Sequence, residues 1–391
     1  MKILIVSSYL PYPLYSGGHI RLFNIIKRLS KKHEITLVCE KRDYQTAEDR
    51  QEVEKICKRV ITVSRKKQWS LKNILKSASS LHSFLITGHT STEMKEKIVE
   101  LLGETQFDLI HVETSYVMQN VPKTFLPIVL VEHNVEYLVY KRFAEKSGVY
   151  LRPLLYADIV KLAKEEKAFW KRATKLVAVS EREKEIMHAD GVVPNGVDTQ
   201  KFKVKSLKLK VEKKEKRILF IGDFKWIQNR DSARFIIRDV WPKVSKYEKI
   251  KLWIVGRDIP DDMKSLGDKN IIFDENASDT AQIFQKAFAL LSPIRVGGGT
   301  SYKILEAMAS GVPVITTDLG IEGLEVSDKK DILVADTAEE FARSLENLLK
   351  DKTLYETVAK NAREIVEKEY NWDTIVEKLE GVYDSAVKEE L

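Results

Sequence analysis

The part of this 391-residue chain best equipped for chemistry runs from Ser292 to Thr316. Three successive glycines, Gly297, Gly298 and Gly299, let the backbone approach a ligand with no Cβ in the way. Thr300 or Ser301 is placed to cap a helix that runs to Ser310, where Gly311 and then Pro313 end it. A glycine-rich turn that opens a helix offers unpaired N–H groups and the positive end of the helix dipole, which suits a diphosphate. Lys303 and Glu306 lie three apart and share one helix face. The cation can neutralise phosphate while the carboxylate accepts hydrogen bonds from ribose hydroxyls. Arg295 adds a second positive group. The plainer alternative is a turn whose helix charges are merely solvated. A Walker loop is ruled out, since no Gly-Lys-Ser/Thr follows the glycines, and no dinucleotide fingerprint is present. Gly17 and Gly18, at the head of the first helical pattern, either face phosphate or sugar or make a tight turn.

The elements that must position these residues alternate. Short apolar runs at Lys2–Ser7, Glu34–Cys39, Arg59–Val63, Phe107–Val112, Pro127–His133 and Thr174–Ser180 predict strands covered on both faces. Helical patterns such as Ile20–Ser30 and Asp158–Arg172 lie between them. The pattern restarts with Arg217–Gly222, Ile250–Gly256, Asn270–Phe273, Ala287–Pro293, Val312–Thr317 and Asp331–Ala335. Two doubly wound, Rossmann-like α/β domains with parallel sheets follow. The boundary is expected after Asp198, giving domains 1–198 and 199–371, with Lys201–Lys216 as a charged linker and Trp372–Leu391 as a helix that packs on its own domain or crosses back to the first. Ligands of open α/β sheets bind outside the carboxyl ends of the strands, so a ligand cleft flanked by both domains is expected.

Charge is unevenly spread. Residues 1–200 carry a net +8, 201–217 a net +7 and 218–391 a net −8. The basic half is expected to face something anionic, and a lipid surface fits at least as well as nucleic acid, for which no recognisable module is present. A solvated Lys-rich surface is the bland alternative. Cys39 and Cys57 read as reduced and structural. No signal peptide and no long apolar span is visible, so a cytoplasmic protein, peripheral at the inner membrane face, is expected.

Several motifs together resemble the retaining GT-B glycosyltransferases of family 4, in a Gly-Gly-Gly-Thr sub-branch: Lys2–Ser8 leading to Ser16-Gly-Gly18, Val177–Glu181, Val193–Asp198, Ile218–Gly222 and Gly297 through Ile315. The resemblance implies a C-terminal domain that binds a nucleotide-diphosphate sugar and an N-terminal domain that binds the acceptor. It also implies metal-independent, cofactor-free chemistry, and no Asp-x-Asp tripeptide occurs. Two departures stand out. The first of the family's paired glutamates would fall at Gly298, leaving only Glu306. Where an Arg and a Lys are usual after the first strand of the second domain, Gly222 is followed by Asp223-Phe-Lys225, so Lys225 is expected to take part of that role and Arg295 or Lys303 the rest. Where relatives show His-x-His, the chain has His111-Val-Glu113, and the next strand ends in Glu132-His133. His133 or Glu113 is expected to orient the acceptor hydroxyl or take its proton, with His111 beside them. A nucleotide-sugar epimerase of the same shape and a non-catalytic nucleotide-sugar sensor are the rival readings.

Overall fold

The computed structural model describes all residues except 66, 67, 69, 204–214, 248, 268, 278, 296–299 and 390–391. Most of the linker stretch and the three glycines Gly297–Gly299 therefore lie outside the described residues. The chain divides into two units, Met1–Pro194 with Ile375–Leu391 and Asn195–Thr374.

The first unit is built on seven parallel strands: β1 (Lys2–Ser7), β2 (Glu34–Lys41), β3 (Arg59–Ser64), β4 (Leu109–Glu113), β5 (Ile128–Val131), β6 (Lys175–Ala178) and β7 (Gly191–Val192). Their order is β3-β2-β1-β4-β5-β6-β7. β4 and β5 are buried at every residue, because helices cover both faces of the sheet. The second unit holds β8 (Lys216–Ile221), β9 (Ile250–Val255), β10 (Ile271–Asp274), β11 (Ala287–Ser292), β12 (Val314–Thr316) and β13 (Leu333–Val334), ordered β10-β9-β8-β11-β12-β13. All their pairings are parallel. This pair of Rossmann-like units is the GT-B architecture.

The helices that matter below are α1 (Gly17–Leu29), α2 (Glu136–Lys146), α3 (Arg152–Arg172), α4 (Ile227–Phe235), α5 (Tyr302–Ala309) and α6 (Trp372–Glu389). Helix α3 starts six residues earlier than the sequence pattern predicts, because Pro153 is tolerated in a first helical turn. The two-residue β7 was not foreseen, being too short to show a periodicity. From Ile375 onward α6 is part of the first unit. There Glu380 accepts from Lys32 and bonds His33, both at 2.8 Å.

Candidate functional site

In the first unit the strand order reverses direction between β1 and β4, the topological switch point where open α/β sheets leave a crevice. Ser7 at the end of β1 lies in register with Glu113 at the end of β4. The head of α1 meets the same edge. Gly18 lies so close to Tyr9 that a Cβ would stand 3.0 Å from its hydroxyl oxygen. Behind the two glycines His19 is buried, its Nδ1 bonded to Ser16 Oγ at 2.5 Å. Its Nε2 is buried with no hydrogen-bond partner among the described residues. Burial, helped by Arg42, pushes the His19 pKa down to about 4. Sequence reading passed over this histidine, which looks like any residue inside a helical pattern.

Glu113 is fully buried at the centre of a network. Its Oε2 bonds His111 Nε2 at 2.7 Å and its Oε1 bonds His133 Nε2 at 2.7 Å. Arg21 Nε stands 3.6 Å from Oε1, while the guanidinium donates to Val193 O and Pro194 O at 2.8 Å each. Burial opposes ionisation of Glu113, but the two histidines outweigh it and hold the carboxyl well below its usual range. A carboxylate only accepts, so both Nε2 atoms carry protons. On the far side of His111, Nδ1 meets the Tyr383 hydroxyl of α6 at 2.5 Å. Burial, reinforced by Glu113, raises the Tyr383 pKa well above normal, so the phenol stays protonated and donates. Arg21 and Tyr383 were missed: one hides in a helical pattern, the other lies some 270 residues downstream of its partner.

His133 is the member that reaches the surface, at 21% side-chain exposure. The expectation that it ends a strand is corrected: β5 stops at Val131, and the chain turns outward through Glu132 and His133. Three buried carboxyl groups fix that turn. Glu132 accepts from Ser115 N and Trp170 Nε1, both at 3.2 Å, and Glu166 accepts from Glu136 N and Tyr137 N at 2.9 and 2.8 Å. Burial raises the pKa of Glu132, Glu136 and Glu166, so protons shared among them avoid a cluster of like charges. The sequence placed Glu113 and His133 in equivalent roles. The structure separates them, with Glu113 enclosed and His133 presenting Nδ1, which has no hydrogen-bond partner among the described residues.

The second unit repeats the geometry at its own switch point, between β8 and β11. β8 leads into Gly222, whose carbonyl oxygen is so close to Gly256 that a Cβ there would sit 1.7 Å away; Gly256 also has φ +154°. Asn229, on α4, lies against Gly222 and donates Nδ2 to Asp223 O at 2.8 Å. Its Oδ1 accepts from Lys303 Nζ at 2.8 Å. The same ammonium stands 4.7 Å from the centre of the Phe220 ring. Asn229 is thus an unforeseen residue that aims Lys303.

Ser301 occupies the N-cap of α5, but no side chain closes the cap. The Thr300 hydroxyl oxygen is buried without a partner among the described residues. Glu306 is partly exposed, and its carboxylate has no hydrogen bond or ion pair among the described residues. Burial pushes Lys303 down to about 8, moderated by Glu306, and Glu306 up to about 7, moderated by Lys201 and then by Lys303. Lys225 is exposed and unpaired among the described residues. Asp223 and Arg295, by contrast, are engaged. Asp223 pairs with Arg257 at 2.8 Å, and Arg295 makes a two-point contact with Asp231 at 2.8 and 3.1 Å over the Phe235 ring. The second cation expected next to the glycines is therefore matched by a carboxylate of its own.

Two family models match the sequence, one to each half: "Glycosyltransferase Family 4" over residues 15–201 and "Glycosyl transferases group 1" over residues 215–351. An uncharacterized 44.6 kDa protein in the cps region of Klebsiella pneumoniae is 22% identical over 386 residues, spanning 95% of this chain and 96% of that one. The capsular polysaccharide biosynthesis glycosyltransferase CapM of Staphylococcus aureus is 27% identical over 208 residues, 50% of this chain and 54% of its own. Among solved structures, Anabaena Alr3699/HepE in complex with UDP and glucose aligns with a TM-score of 0.64 at 17% identity, over 98% of this chain and all of the other.

Proposed function

Starting from a chain that is a glycosyltransferase of GT-B architecture, we propose that it moves a sugar from a nucleotide-diphosphate sugar to a saccharide or lipid-linked acceptor in the synthesis of a capsular or other envelope polysaccharide, with retention of anomeric configuration. The second unit binds the donor and the first unit the acceptor. The observation that carries the donor assignment is the head of α5. There Asn229 aims Lys303, and Glu306 and the Thr300 hydroxyl are partnerless among the described residues. Lys303 and Lys225 neutralise the diphosphate as it leaves, with the α5 N-terminus adding its dipole. Glu306 accepts from ribose hydroxyls. Gly297–Gly299, outside the described residues, keep the role the sequence gives them as amide donors. A donor gripped in this way needs neither a metal nor a cofactor.

In the first unit Glu113 is a positioning residue. It orients His133 so that Nδ1 faces outward and accepts the proton of the acceptor hydroxyl. The carbon–oxygen bond to the diphosphate breaks first, and the diphosphate leaves with the electron pair; the hydroxyl oxygen then bonds the anomeric carbon on the face just vacated, so the configuration is retained. Support for the polysaccharide context comes from CapM and from the cps-region relative; support for a uridine nucleotide comes from HepE, which was solved with UDP and glucose.

The test is a donor panel with and without candidate acceptors, read by proton NMR of the product. Transfer that keeps the donor's anomeric coupling supports the whole reading, and inverted coupling removes retention. Conversion of donor alone into a second nucleotide sugar would identify an epimerase. Donor binding with neither transfer nor hydrolysis would identify a sensor.

A further inference from the structure

Helices α2 and α3 form a hairpin on the first unit, and its tip is exposed and apolar. Tyr150 is 95% exposed, Leu154 69%, Val149 64%, Phe143 62% and Leu151 58%. Single apolar side chains on a surface need no explanation, whereas five large ones within twelve residues do. The hairpin itself is anchored inward, through Ala144 from α2 and Ile159, Leu162 and Trp170 from α3, all buried. The five side chains are therefore left out of a core that their own helices join.

The tip is held in shape. Arg152 donates to Ser147 O at 3.1 Å and to Glu145 O at 2.9 Å, taking up carbonyls at the end of α2. Ser147 Oγ donates to Phe143 O at 2.9 Å and Leu151 N to Gly148 O at 2.9 Å. An apolar tip fixed in this way loses little further conformational freedom when it docks.

Its charge identifies the occupant. Lys141, Arg142 and Lys146 are exposed around Phe143, and none has an ion-pair partner among the described residues. Arg152 adds a fourth positive charge, and Glu145 is the one acidic residue between 141 and 154. Long cationic side chains around aromatic and aliphatic ones suit a bilayer interface. The stems lie along the apolar layer, the heads reach lipid phosphates, and Tyr settles at the boundary.

We propose that the α2–α3 tip docks the protein on an anionic lipid bilayer, with Phe143, Val149, Tyr150, Leu151 and Leu154 entering the headgroup–acyl boundary and Lys141, Arg142 and Lys146 meeting lipid phosphates. This rests on no assignment of donor or acceptor. It also replaces a diffuse expectation, that the basic half as a whole is attracted to membranes, with one surface.

The test is flotation of the full-length protein with vesicles of phosphatidylglycerol and phosphatidylcholine, or of phosphatidylcholine alone, near physiological salt. Wild type should float at least tenfold better with the anionic vesicles. Tyr150→Ser with Leu154→Ser should lower the bound fraction at least tenfold, and Lys141→Glu with Lys146→Glu should do so only in anionic vesicles. A Tyr150→Trp reporter should be quenched by bromine-labelled lipid chains. Transfer to a water-soluble acceptor should be unchanged in the serine variant, which keeps this outcome separate from the fate of the glycosyltransferase reading. The proposal is overturned if the serine variant floats like wild type, if wild type ignores lipid charge, or if the tryptophan is not quenched. Sedimentation showing a dimer that the serine variant splits would assign the tip to a second copy of the chain and overturn it equally.

Discussion

Glu113 and Glu306 both stand near the carboxyl edge of a parallel sheet at its switch point, and they could hardly be treated more differently. Glu113 is enclosed, and each of its oxygens is answered by a histidine, with Arg21 close by. Glu306 keeps an edge at the surface and has no hydrogen-bonding partner among the described residues. The consequence appears in their acidities. Burial works against ionisation of both, but His133 and His111 reverse the result at Glu113, whereas Glu306 is left at about 7. One carboxylate sits in a network whose members answer one another; the other has no such partners among the described residues. On the proposed function, the first unit is preorganised around a histidine that takes a proton, and the second around a carboxylate and a cation that hold the donor.

The comparison breaks most visibly at Glu113. Glu113→Gln removes the charge that faces two histidines and Arg21, and the loss of one member of a buried ionic cluster costs about 3–5 kcal/mol. Urea unfolding of the full chain near pH 7 should show a first-unit transition weakened by about 3 kcal/mol. The sign with pH follows from the depressed carboxyl pKa. The stabilisation is fully present above the unfolded carboxylate pKa and is lost as pH falls through the lower folded one, so variant and wild type converge in acid. A difference under about 1 kcal/mol near neutrality would mean that the network is decoration.

His133→Ala leaves Glu113 buried and still bonded to His111, so folding should suffer less than chemistry. If Nδ1 takes the acceptor proton, kcat should drop about 10²-fold with donor affinity unchanged. A rise in donor KM at constant kcat would instead move His133 to the donor site.

The reach of the sequence can be judged from these residues. Strand and helix order was legible, since continuous apolar runs separated by amphipathic stretches leave little choice for a parallel sheet. Glu113, Lys303 and Glu306 could be singled out as candidates as well, because Glu113 ends a strand and the other two share a helix face behind a glycine-rich turn, whereas His133 lies two residues past the end of β5. The hidden part was pairing. Tyr383 meets His111 only once α6 has joined the first unit, and Asn229 aims Lys303 only because Gly222 lets α4 come close. Arg295 misled for the same reason. Its place beside the glycines pointed to phosphate, and only the fold brings Asp231 to it. Spacing along the chain shows which residues could act, while packing decides which are already engaged.

Nucleotide binding sharpens the comparison from the side of Glu306. Glu306→Ala should weaken UDP binding by the value of hydrogen bonds to a charged acceptor, about 1.5–3 kcal/mol, read by calorimetry. Affinity should also rise from about pH 5.5 to pH 7 in wild type, below the range in which Lys303, at about 8, loses its charge, because ribose hydroxyls favour the ionised carboxylate whose pKa lies at about 7 without ligand. An unchanged Kd in the alanine variant would take Glu306 out of the site.

The smallest effect is the most discriminating, because its sign is opposite to that at Glu113. The raised pKa of Glu306 means that the folded chain holds more protons than the unfolded chain between about 4.5 and about 7. Stability from this group is therefore present in acid and lost as pH rises through that window. Glu306→Gln removes the dependence. Without nucleotide the variant should match wild type near pH 4.5 and exceed it above pH 7. The full shift overstates the gain, since water reaches one edge of the side chain and Lys303 loses an attractive neighbour, so about 1 kcal/mol is expected. Saturating UDP should reverse the order, because only the carboxylate accepts from two hydroxyls as an anion. Unfolding midpoints at pH 5 and pH 8, each with and without UDP, measure all four terms. A glutamine variant less stable than wild type at pH 8 without nucleotide would show that Glu306 is satisfied within the protein, and the contrast with Glu113 would collapse.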